Sequence, residues 1–175
     1  MGGNGNWDPY YFRHEDMKST VKQIHVYAHI YETNYGNQAN HWVVYLEISP
    51  IHSVRLDMSP GLGDDAVRGR LSISTKNCTY TNNMLHHFAF QTRGEPTVED
   101  FVKLINANGL QRYDFTSEFE GCAFWVYILI AYLEQAHFVA VGSAARTKES
   151  VSYFYIYPVG QLRQEMIRGL FRAPP

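Results

Sequence analysis

The chain reads as an α+β domain in which an antiparallel β-sheet packs against a central buried helix bearing a cysteine at its N-terminus. Three observations predict this class. Segments with two-residue alternation of apolar and polar residues fill the first half of the chain, helical periodicity begins only after residue 96, and strands followed by helices in that order define an α+β arrangement. Third, the stretch Thr116 to Gln135, TSEFEGCAFWVYILIAYLEQ, passes from a polar approach through Gly121-Cys122 into an unbroken apolar run ending at Leu133. That run is shorter than the roughly 20 residues a bilayer requires, and it is apolar on every side, as in a helix buried inside a domain.

At 175 residues the chain can bury one full core. The domain organisation expected is a flexible N-terminal arm over residues 1–18 and a single domain over 19–175. Seventeen acidic residues against fifteen basic ones leave a net charge of −2, which argues against an extended nucleic-acid footprint, since that needs a strongly basic face. The opening MGGNGNWDPYYFRHED has no basic region followed by an apolar stretch, so a cytoplasmic location without a membrane span is the expectation. Two cysteines, Cys78 and Cys122, are too few for a disulfide scaffold. The histidines form no zinc-ligand spacing, and neither a metal nor another cofactor is expected.

Taken in order, Trp7 to Phe12 is an aromatic patch within the arm. From Gln23 to Tyr31 the chain alternates, with Ile24, Val26, Ala28 and Ile30 on one face and His25, Tyr27, His29 and Tyr31 on the other, which predicts a half-buried strand. A turn cluster at Tyr35-Gly36-Asn37 leads into a strand over His41 to Ile48, and Ser53 to Met58 is a third, so that these strands form an antiparallel meander. A loop carrying Asp64 and Asp65 precedes two more strands, Leu71 to Thr75 and Met84 to Thr92. Thr97 followed by Asp100 approximates a capping box, and Val98, Phe101, Val102, Leu104 and Ile105 give a helical stripe that stops at Asn108-Gly109. Val151 to Tyr157 reads as a last strand, and Leu162 to Phe171 as a basic amphipathic helix.

The chemistry turns on Cys122. The first-turn N–H groups and dipole of a helix favour negative charge at its N-terminus, which suits a nucleophilic thiolate. Free cysteine is also among the most buried residue types, so a plain packing role is the competing reading. A nucleophile needs an imidazole, and the imidazole needs a group that fixes its tautomer. His86 and His87 point to opposite faces of their strand, and His25 and His29 share a strand face with Tyr27. His41 differs by opening an apolar strand, His41-Trp42-Val43-Val44-Tyr45-Leu46, while the neighbouring Arg55-Leu56-Asp57-Met58 supplies an acid that antiparallel pairing brings alongside.

That strand resembles the histidine, tryptophan, small apolar, tyrosine strand of the lecithin retinol acyltransferase-like proteins, circularly permuted relatives of the NlpC-type papain-like cysteine peptidases. Leu56-Asp57-Met58-Ser59-Pro60 is similar to that family's following strand, with Asp57 at the place of its second polar catalytic residue. Val98 to Tyr113 and Glu120-Gly121-Cys122-Ala123-Phe124 resemble its helix, tyrosine-containing connector and cysteine motif. The resemblance spans roughly residues 23 to 135 and implies a permuted papain-like fold with Cys122 as nucleophile, His41 as general base and Asp57 as the residue orienting the imidazole. The family commonly has His where Asp57 stands, and its Asn-Cys-Glu-His-Phe motif is here Gly121-Cys122-Ala123-Phe124-Trp125, a more apolar wall.

The expected activity is thiol-dependent acyl transfer through an acyl thioester: hydrolysis of an amide, ester or thioester, transfer to an amine, or cyclisation. The expected substrate is a small apolar or aromatic molecule, bound with help from Tyr113, Trp42, His25, Tyr27 and His29. A carrier-linked or tRNA-linked acyl donor stays open, and the oligomeric state is not legible. Two rivals stand beside this reading. One is a binding module that keeps the papain-like shell without catalysis, and the other is an acid/base enzyme using Asp57 and His41 without the cysteine.

Overall fold

The computed structural model describes residues 7–32, 38–61, 66–79 and 84–172. Strands β1 (Trp7–Tyr11), β2 (Gln23–Glu32), β3 (Gln38–Ser49), β4 (His52–Pro60), β5 (Gly69–Lys76) and β6 (Met84–Gln91) form one six-stranded sheet in the order β1-β5-β4-β3-β2-β6. Every pairing in it is antiparallel except that of β1 with β5. The turn expected at Tyr35-Gly36-Asn37, the aspartates Asp64 and Asp65, and residues 1–6 of the arm lie outside the described residues.

Alternation sends Ile24, Val26, Ala28, Trp42, Val44, Leu46, Val54, Leu56, Met58, Leu71 and Ile73 to one face, all at most 2 % exposed. Two helices, α1 (Val98–Ala107) and α2 (Cys122–Gln135), cover that face and contribute Phe101, Val102, Ile105, Trp125, Val126, Leu129, Ile130 and Leu133 to the same core. The α1 start is a capping box: Asp100 N–H donates to Thr97 Oγ1 at 3.3 Å and Thr97 N–H donates to Asp100 Oδ2 at 2.8 Å, satisfying two donors the helix leaves unpaired. The remaining apolar residues of α2, among them Phe124, Tyr127, Ile128 and Tyr132, are half-buried, in keeping with a helix apolar all round. The described residues thus form a mixed α/β protein with a mostly antiparallel sheet and three α-helices.

Three segments differ from expectation. Residues 7–18 are not a loose arm: β1 pairs with β5, Trp7 Nε1 donates to Asn106 Oδ1 at 2.9 Å, and the short 3-10 helix His14–Lys18 is tied down by the buried Asp16, which accepts from Thr75 Oγ1 at 2.5 Å and meets His52 Nε2 at 2.8 Å. A third helix, α3 (Ser143–Val151), has little apolar stripe to announce it. It starts where Glu134 of α2 accepts from the N–H groups of Gly142 and Ala144, a cap that exists only once α2 is in place. The basic helix expected over Leu162 to Phe171 is extended chain instead. Here β9 (Gln161–Arg163) pairs with β8 (Tyr153–Tyr155), and β10 (Leu170–Phe171) pairs with β7 (Tyr113–Asp114). Pairing and the packing of Phe171 on Tyr113, ring centroids 4.8 Å apart, outweigh a helical propensity of tenths of a kcal/mol per residue.

Candidate active site

The sheet forks at the site. The β3–β4 ladder runs from Ser49↔His52 to Val44↔Leu56 and ends there. Beyond that point β3 stays on β2 as far as Gln38, and β4 stays on β5 as far as Pro60. Continued register would set Val43 opposite Asp57, making His41 and Asp57 diagonal neighbours on one face, a separation that long polar side chains span. The first residue of α2 meets this opening, with Cys122 Sγ 3.7 Å from Asn40 O on β3.

There the imidazole of His41 hydrogen-bonds both Cys122 and Asp57, with Nε2 2.6 Å from Asp57 Oδ1. A carboxylate only accepts, so Nε2 carries a proton and Nδ1 is the ring's remaining nitrogen. Arg55, two residues earlier on the same face of β4, donates from Nη2 to Asp57 Oδ2. Burial by itself would push His41 down, but the hydrogen bonds and charges of Asp57 and Cys122 outweigh it and lift the imidazolium from 6.5 to about 10. For Asp57 burial works upward, and the hydrogen bond and charge of His41, with Arg55 behind, hold the carboxyl below its ordinary value. Both side chains are less than one-fifth exposed, and Cys122 is half-buried.

Local sequence sets the thiol's position. Gly121 has φ +134°, a region L side chains rarely adopt, and a Cβ there would fall 2.5 Å from the Tyr113 hydroxyl. That hydroxyl donates to Gly121 O and accepts from Gly169 N–H, both at 2.8 Å. The turn into α2 is therefore bolted to β7 and to the C-terminal segment. No side chain caps α2, leaving its first-turn N–H groups, which have no intrahelical acceptor, directed at whatever lies before the helix.

The structure brings His41, Asp57 and Cys122 together and separates most of the residues expected to bind substrate. Trp42 alternates to the core side with Val44 and Leu46, is 2 % exposed and packs on Phe88 and Tyr155, so it does not line a cleft. Tyr113 is 0 % exposed and spends its hydroxyl proton on Gly121 O, which makes it a brace for the site. His25 and Tyr27 are buried and belong to a separate cluster: His25 Nε2 meets Glu47 Oε2 at 2.6 Å, His25 Nδ1 meets His87 Nε2 at 2.9 Å, and Tyr27 donates to Thr79 O. His29 alone among these five stands beside the imidazole, directly opposite His41 in the β2–β3 pair. Burial first, then the charges of Arg55 and His41, press His29 down to about 4, so it is neutral where His41 is charged.

Two contributors escaped the sequence reading. Arg55 is legible in hindsight as the same-face neighbour two residues before Asp57. Asn40 is not: its amide accepts from Tyr155 N–H at 2.5 Å and donates to Tyr155 O at 2.9 Å, docking β8 across a contact 115 residues long. Among the described residues, no group of three or more His, Cys, Asp or Glu is arranged to hold a metal ion, and no helix is long and apolar enough to cross a membrane.

Sheet, buried helix and a cysteine–imidazole–carboxylate chain at a strand fork define a mixed α/β protein with a half-buried thiol held against a charged histidine. By sequence the chain belongs to the family described as Domain of unknown function (DUF7770), whose family model matches residues 24–172, a span containing the whole constellation. No curated protein and no solved structure matches it.

Proposed function

We propose that the protein is a thiol-dependent acyl-transfer enzyme of permuted papain-like architecture, with Cys122 as nucleophile, His41 as general base and then acid, and Asp57 orienting the imidazole. The observation that carries this reading is the His41 ring suspended between the Cys122 thiol and the Asp57 carboxylate, 2.6 Å from the latter. A packing cysteine requires no such partner.

Because His41 is charged, the proton of the thiol already rests on its Nδ1; the thiolate sulfur bonds to the acyl carbon, and the carbonyl electron pair moves onto oxygen. The Cys122 N–H at the uncapped start of α2 faces that oxyanion, a donor of a kind worth about 10²–10³ in rate. Collapse of the adduct breaks the bond to the leaving amine, alcohol or thiol, which takes the proton from His41 and leaves an acyl thioester on Cys122. Water or an amine, deprotonated by the now neutral His41, then resolves the thioester and restores the thiolate beside the imidazolium. Asp57 and Arg55 keep Nε2 engaged throughout, so that Nδ1 is the nitrogen free to exchange the proton.

Intact-mass measurement with aryl esters, amides and acyl thioesters tests the reading. The expected result is one transient acyl adduct on Cys122, absent in His41→Ala, together with alkylation of Cys122 by iodoacetamide that outpaces Cys78 at about pH 6.5. Equal, slow alkylation of the two cysteines with no adduct from any donor would leave a non-catalytic binding module; turnover surviving Cys122→Ala would assign the chemistry to His41 and Asp57 alone.

A further inference from the structure

On the face of the sheet away from the helices, β4 and β5 present Arg55, Asp57, Arg70, Ser72, Ser74 and Lys76 side by side, through the pairs Arg55↔Ser74 and Asp57↔Ser72. Strand β1 adds Trp7, Asp8, Tyr10 and Tyr11, and the residues line an open cleft of about 690 Å³.

Among the described residues its charges do not cancel. Three cations, Arg55, Arg70 and Lys76, face two carboxylates, Asp8 and Asp57, and Asp57 is already shared with His41. Arg70 holds Asp8 loosely, at 3.6 Å. Among the described residues Lys76 makes no ion pair, and Arg55 bonds only Asp57, through Nη2, while its Nε has no partner. Guanidinium donors and an ammonium converging on one concavity are the means by which proteins recognise carboxylates and phosphates. The aromatic component is equally marked: Tyr10 and Tyr11 are 79 % and 70 % exposed and meet edge to face, centroids 4.6 Å apart. Large exposed aromatic rings at a cleft wall offer a stacking surface.

We propose that this cleft is a binding site for a small aromatic anion, a ring bearing a carboxylate or phosphate, with the ring against Tyr10 and Tyr11 and the anionic group on Lys76, Arg70 and Arg55. The site does not depend on chemistry at Cys122. An occupant shares Arg55 with Asp57 and so lies one contact from the carboxylate that holds His41.

Isothermal titration with phenyl phosphate, benzoate, inorganic phosphate and phenol tests this. Phenyl phosphate or benzoate is expected to bind saturably at one site, inorganic phosphate at least about tenfold more weakly, and phenol not measurably. Lys76→Gln and Arg70→Gln, both at the surface, are each expected to weaken the aromatic anion about tenfold, the worth of one charge-assisted hydrogen bond, whereas Cys122→Ser binds as the unaltered protein does. Absence of saturable binding by both aromatic anions, affinity unchanged in both cationic variants, or loss of binding in Cys122→Ser would each overturn the assignment. Inorganic phosphate binding as tightly as phenyl phosphate would overturn its aromatic half.

Discussion

Replacing Asp57 by Asn removes the charge that holds His41 while nearly conserving shape, and its effect on stability carries a definite pH signature. His41 is lifted from 6.5 to about 10; at about 1.4 kcal/mol per pH unit this span is about 5 kcal/mol of preference for the imidazolium in the folded protein. Asp57 and Cys122 share it. The hydrogen bond of Asp57 is the larger of the two, and Asp57→Asn is expected to cost about 2–3 kcal/mol, below the about 3–5 kcal/mol of a fully buried pair, because both side chains of this pair retain some exposure. A raised folded value means that the stability is fully present below 6.5 and is lost as pH rises toward about 10. The depressed Asp57 works at the other end, its contribution disappearing as pH falls through the folded carboxyl value. Urea denaturation at pH 6 and pH 10 reads the result: a gap of about 2–3 kcal/mol between the protein and Asp57→Asn at pH 6, narrowing to under about 1 kcal/mol at pH 10. A gap of the same size at both pH values would refute the charged His41–Asp57 pair.

Further consequences concern the supports of the site. Gly121→Ala forces a Cβ to 2.5 Å from the Tyr113 hydroxyl at φ +134°; a loss of about 2 kcal/mol or more in thermal unfolding is expected, with slower alkylation of Cys122. Tyr113→Phe leaves Gly169 N–H and Gly121 O without their partner, costing about 1–3 kcal/mol, and hydrogen exchange at Gly169 should speed up relative to the sheet amides. Leu129→Ala, in the middle of α2 at 0 % exposed, is expected to lose about 2–5 kcal/mol in chemical denaturation. Thr97→Ala removes the α1 cap at a cost of about 1 kcal/mol, without effect on the thiol's reactivity.

The sheet and the two core helices were legible because each writes its period into the chain: alternation over Ile24 to Ile30 and His41 to Ile48, the Thr97/Asp100 cap, and the unbroken apolar run behind Cys122 are local facts. The juxtaposition of His41 with Asp57 was within reach because adjacent antiparallel strands bring such residues close whatever the rest of the fold does. Local pattern could not say which face of β2 and β3 would be wet. His25 and Tyr27 looked like cleft residues and are instead buried, with His25 bonded to the more exposed Glu47 and His87. Segments stabilised by partners far along the chain were illegible for the same reason: α3 depends on Glu134, the C-terminal strands on Tyr113 and Tyr153–Tyr155, and the first strand on β5. Sequence alone determined the secondary structure of the core and the residue types available for chemistry, since both follow from periodicity and composition. Only the tertiary structure decided that β3 and β4 part at Val44 and Leu56, and it is this fork that admits the first residue of α2 to the imidazole, because hydrogen-bond reach depends on where strands cease to pair.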